Sequence, residues 1–140
     1  MKRTALLVPM LVLVAACASV PRAKPVDDVK DLAGNWEAWL PVPWEGAPSS
    51  AVKVQLTVKD DGSYTAATQF LGSLLGEQRT LAPSFRTLHG VIRVSGGQAV
   101  YQPDGGRAGG TVTLFEGDGR RMLRFSSASA TGPVDFTPSK

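Results

Sequence analysis

The residues able to do chemistry are few, and their spacing joins none of them into a catalytic set. His89 is the only histidine, and it stands in an alternating run with no positioned partner marked nearby in sequence. A general base needs such a partner. The serines are plentiful, but no Gly-x-Ser-x-Gly elbow presents one as a nucleophile. Asp27, Asp28 and Asp31 cluster early; they read as the solvated start of a helical turn, where carboxylates favour the positive end of the dipole. Residues 103–110 are glycine-rich but lack the Lys-Ser/Thr of a phosphate cradle, so they read as a hairpin loop. One cysteine excludes an internal disulfide, and one cysteine with one histidine excludes a cysteine–histidine metal site within the chain. The expectation is a protein that is not an enzyme and takes no cofactor or metal.

Two features point to binding instead. Trp36, Trp39 and Trp44 crowd into one short stretch, the last on the proline-stiffened segment 41–48. Parity along a strand puts Trp36 and Trp39 on opposite faces. The outward one, together with Trp44, is the candidate contact for a partner or an apolar ligand. The second feature is charge. Residues 18–78 hold five basic and eight acidic residues, a balance of −3, whereas 79–140 hold eight and four, a balance of +4. Arg120 and Arg124 share a strand face, and Arg93 lies on the polar face of another; as a basic patch they would meet anionic lipid or lipopolysaccharide, but they read chiefly as a solvated surface. The whole chain is formally +3, but Lys2 and Arg3 account for two of those charges. A body at +1 gives no reason to expect nucleic acid.

The start of the chain sets its compartment. Met1-Lys2-Arg3 is a positive n-region, and residues 5–16 form an apolar run broken only by Pro9. That is the anatomy of a secretory signal peptide. The run is too short for a bilayer-spanning helix, which needs about 20 residues. It ends Val14-Ala15-Ala16-Cys17, which resembles the lipobox of bacterial lipoproteins. The resemblance implies cleavage before Cys17 and acylation of its sulfur and new amine, so that the membrane is a partner through acyl chains on Cys17. More than one acyl chain makes such attachment stable. Ala18 rather than aspartate follows; by analogy with enterobacterial lipoproteins this implies an outer-membrane anchor facing the periplasm. Residues 1–16 are thus expected to be a signal peptide, 17–30 a lipidated cysteine and solvated tether, and 31–140 the folded domain.

The elements of that domain are short strands. Val52, Val54, Leu56 and Val58 alternate with Lys53, Gln55, Thr57 and Lys59, which places the apolar set on one face. Asp60-Asp61-Gly62 turns the chain, and alternation resumes with Tyr64, Ala66, Thr68 and Phe70. A second hairpin joins 85–94 to 98–102 through Ser95-Gly96-Gly97, and a third joins 111–115 to 121–125 through Glu116-Gly117-Asp118-Gly119. A first strand at 36–40 and a closing one at 134–136 complete the set. Helical periodicity beyond one turn is confined to the leader and, at most, residues 26–33. Seven or eight strands in sequential hairpins predict an all-β antiparallel up-and-down barrel, with a β-sandwich as the alternative.

Asp31-Leu32-Ala33-Gly34-Asn35-Trp36 leads into the first strand. It resembles the Gly-x-Trp opening of lipocalins and related calycin barrels. The resemblance implies that Trp36 plugs the closed end and that a late basic residue, Arg121 or Arg124, packs across its ring. Arg121 is the better candidate by parity, since it shares a phase with Leu123 and Phe125. Two functions follow as expectations. The first is a non-catalytic envelope lipoprotein that binds a small apolar or amphipathic ligand inside a lipocalin-like barrel. The second is an envelope interaction protein, an assembly accessory or inhibitor, whose barrel is filled by side chains.

Overall fold

The computed structural model describes residues 21–41, 51–71, 86–127 and 132–140. Nine strands are assigned among them: β1 Arg22–Lys24, β2 Gly34–Pro41, β3 Ala51–Val58, β4 Ser63–Leu71, β5 Arg86–Ser95, β6 Gln98–Pro103, β7 Gly110–Gly117, β8 Arg120–Ser127 and β9 Val134–Pro138. From β2 to β9 each strand pairs antiparallel with the next, and β9 pairs back onto β2. The result is a closed eight-stranded up-and-down barrel with β1 outside it. Closure removes the sheet edges that a sandwich would leave open, and the sandwich alternative is thereby set aside.

Alternation explains the wall. In the β2–β3 ladder Trp36 faces Leu56 and Ala38 faces Val54; in β3–β4 Val58 faces Tyr64. All six are buried. Leu114, Leu123 and Phe136 align across β7, β8 and β9 and are buried as well. Of the residues expected inward, Val52 packs partly buried against this core, and the Phe70 side chain lies outside the described residues. Gly62, at φ 85°, makes the β3–β4 turn, and its carbonyl accepts from the Ile92 amide at 2.8 Å.

Part of the stretch expected to be a tether is docked: β1 lies against the outside of the barrel, on β7. β8 covers β7 along its whole length, while β6 reaches only Gly110–Val112 of the other edge. β1 occupies the remainder of that edge, opposite Leu114, Phe115 and Glu116. Val26 is 2% exposed, and its amide donates to the Gly97 carbonyl at 3.2 Å. The apolar residues that dock this stretch are too sparse among charges and prolines to show in its composition.

A 3-10 turn, Val29–Leu32, then crosses the end of the barrel. The Asp28 carboxylate caps it by accepting from the Lys30 amide at 3.0 Å. Leu32 is fully buried, and its carbonyl accepts from the Trp36 indole at 3.0 Å. Leu32, Trp36 and Val26 plug this end. The turns after β3, β5 and β7 lie here, so the opposite ends of the strands, at Pro41, Ala51, Pro103, Gly110, Ser127 and Val134, form the other end, or mouth.

Candidate functional site

The barrel is not filled. Between the plug and the mouth lies a cavity of about 600 Å³. One wall is aromatic. Phe125 packs 5.3 Å from Phe136 and 5.1 Å from Tyr101, and Tyr64 meets both Tyr101 and Phe125 edge-on at 6.4 Å, centroid to centroid. Leu40, Val54, Leu56, Leu88 and Val134 supply aliphatic lining. Such a surface gains by removing apolar area of a guest from water, at roughly 25 cal/mol per Å².

The polar lining grades from the inside outward. Tyr64 is 6% exposed, Thr68, Tyr101 and Ser127 are half-buried, and Arg107 is exposed. Thr68 donates to the Arg86 carbonyl at 3.2 Å and Ser127 to the Gly109 carbonyl at 3.4 Å. Neither phenol hydroxyl has a hydrogen-bond partner among the described residues. Burial first, and then electrostatic interaction with Tyr101 and Asp104, pushes the Tyr64 phenol up to about 12. It is therefore a neutral donor at any physiological pH.

Gly90 makes room for that phenol. It stands opposite Tyr64 in the β4–β5 ladder, and a Cβ there would come within 2.6 Å of the Tyr64 Cζ and hydroxyl. The chain has no side chain where the ring must lie.

The plug pair is brought together. The Arg121 guanidinium lies 5.4 Å from the Trp36 ring centroid, donates to the Asp31 carbonyl, and pairs with Glu116 at 3.0 Å. Arg124, the other candidate, faces outward onto Asp135 of β9 through two hydrogen bonds of 2.6 and 2.7 Å. That contact holds the Asp135 carboxyl below the usual range. Glu116 is likewise held low, mainly by its hydrogen bond with Lys24.

The remaining sequence candidates are placed apart from the cavity. Trp39 is 54% exposed on the outer wall, with Lys53 Nζ 5.3 Å from its ring and the Lys53–Glu37 ion pair at 3.0 Å beside it. It faces outward, as parity places it, and does not line the cavity, because its neighbours Ala38 and Leu40 hold the inward phase. Trp44 and Cys17 lie outside the described residues. His89 is on the outer face, its Nδ1 3.3 Å from the Thr65 hydroxyl. The basic patch is not assembled, because β6 and β7 separate Arg93 on β5 from Arg120 and Arg124 on β8.

Tyr101, Phe125 and Arg107 were missed as site residues. Parity with buried Ala99 and Leu123 puts the two aromatics inward, but nothing local shows that they meet Tyr64. Comparison with known protein families, curated proteins and solved structures finds no match for the chain.

Proposed function

We propose that this chain is a lipid-anchored protein of the bacterial envelope whose barrel carries a small apolar or amphipathic molecule without transforming it. One observation carries the reading: an apolar cavity of about 600 Å³ inside a closed barrel. Small-molecule pockets range from roughly 300 to 1,000 Å³ and are mostly apolar with a few placed polar groups. An eight-stranded barrel is the size that either fills with side chains or holds one small ligand. The hollow interior favours the carrier over the interaction protein with a filled core. Kinship with lipocalin-type barrels is part of the proposal, supported by the strand order and by Arg121 over Trp36.

The anchor at Cys17 is the second part. It is supported by the charged start, the short apolar run and Val14-Ala15-Ala16 before the cysteine. Its geometry has a consequence for the barrel. Pro21 lies against Gly117 at the plugged end, where a Cβ on Gly117 would stand 3.1 Å from the Pro21 Cα. Cys17 is four positions earlier, and an extended chain covers at most ~3.6 Å per residue. An anchor there keeps the plugged end within roughly 14 Å of the lipid surface and turns the mouth toward the periplasm.

The deciding experiment is titration of the purified domain with N-phenyl-1-naphthylamine, a fluorescent apolar probe. Saturable binding that is lost in Ala66→Phe, which fills the cavity, supports the carrier. No saturable binding to the wild type removes it.

A further inference from the structure

We propose that the ligand carries a neutral hydrogen-bond acceptor, a ketone, ester or ether oxygen, which accepts from the Tyr64 hydroxyl while its hydrocarbon part lies along the aromatic wall. The proposal rests on the carrier reading and names the chemistry of its site. Three observations lead to it. Among the described residues Tyr64 is the one buried polar residue that lines the cavity, at 6% exposure, and its hydroxyl has no hydrogen-bond partner there. A buried donor left unpaired is costly, so a guest that accepts from it gains what an apolar guest forgoes. The ring cannot readily turn away: it lies over Gly90 and is held edge-on by Tyr101 and Phe125.

The charge of the acceptor follows from the neighbours. Among the described residues Arg107 is the only basic one that lines the cavity, and it is exposed. Asp104 bears on Tyr64 with negative charge. Burying a carboxylate in this apolar interior is disfavoured by desolvation, and the charge of Asp104 that bears on Tyr64 adds repulsion. A neutral oxygen avoids both. The half-buried Tyr101 hydroxyl, also without a partner among the described residues, is a second donor facing the same space.

The test is displacement of N-phenyl-1-naphthylamine by three guests of similar length, 2-undecanone, n-undecane and decanoate, from wild type and Tyr64→Phe. The phenylalanine variant keeps the ring and its packing, and a thermal melt checks that it folds. The expected result is about tenfold weaker binding of 2-undecanone to Tyr64→Phe, the loss of one hydrogen bond, with n-undecane unchanged. Equal effects on ketone and hydrocarbon, or none on either, overturn the proposal while the carrier reading stands. Decanoate binding more tightly than the ketone and depending on Tyr64 overturns the neutral acceptor. If no guest displaces the probe and the probe itself does not saturate, the carrier reading falls and this inference with it.

Discussion

Arg121 covers Trp36. Its guanidinium lies 5.4 Å from the indole centroid while the same group donates to the carbonyl of Asp31, one residue before the Leu32 carbonyl that accepts from the indole nitrogen. One side chain from β8 thus ties the 3-10 turn to the first strand of the barrel. Trp36→Ala should cost about 3–5 kcal/mol, as other large buried aromatics do. Arg121→Ala should cost less, roughly 0.5–1 kcal/mol for a half-exposed cation–π pair. Urea melts of both variants and the double variant check this. Strict additivity would mean that the two residues are not coupled.

Gly90→Ala places a methyl against Tyr64 and within 2.4 Å of the Gln102 carbonyl. Overpacking of this kind costs typically 1–3 kcal/mol. The variant should melt lower and bind the naphthylamine probe more weakly, because the displaced ring moves into the cavity. A melt unchanged from wild type would show that the phenol does not need the space.

Acid should weaken the barrel in a particular window. The carboxyls of Asp135 and Glu116 are held below their ordinary range, mainly by hydrogen bonds with Arg124 and Lys24 respectively. Their folded values are lower than their unfolded ones, so their contribution is complete above the usual carboxylate pKa, about 4, and is lost as pH falls through the folded value. Asp135→Asn should be less stable than wild type at pH 7, and the difference should shrink below about pH 4. Thermal melts across pH 2–7 test it (the limits are set by the carboxylate range). A difference that stays constant over that range would detach the ion pair from acid stability.

Leu56→Ala should cost about 2–5 kcal/mol, since Leu56 is 2% exposed and lines the cavity. Thr57→Ala, on the outer face with a hydroxyl that donates to the exposed Asn35 side chain, should stay within roughly 0.5 kcal/mol of wild type. Denaturant midpoints rank them, and the opposite order would invert the strand.

The anchor makes two expected outcomes. Cys17→Ser should yield a species without acyl mass, uncleaved or soluble, when expressed in a bacterium and examined by intact-mass spectrometry. In vesicles holding the lipidated protein, a label at Gly119 of the β7–β8 turn should be quenched by nitroxide lipids, and one at Gly106 near the mouth should not. Equal quenching would show that the barrel does not stand on its plugged end.

Much of this was legible in the sequence for a local reason. A strand alternates its side chains with period two, so runs such as Val52 to Val58 declare their inner face residue by residue, and Asp60-Asp61-Gly62 or Ser95-Gly96-Gly97 declare the turns. The same parity separated Trp36 from Trp39 and preferred Arg121 to Arg124. What needed the tertiary structure is what depends on residues far apart in the chain. Closure rests on β2 meeting β9, the docking of Arg22–Lys24 rests on an edge of β7 that β6 leaves uncovered, and the packing of Tyr64 rests on a glycine 26 positions later. Whether eight strands enclose a filled core or a cavity is set by the stagger and tilt of all of them together. No single segment carries that information, so the hollow, its aromatic wall and the place of the Tyr64 hydroxyl in it were decided only when the barrel closed.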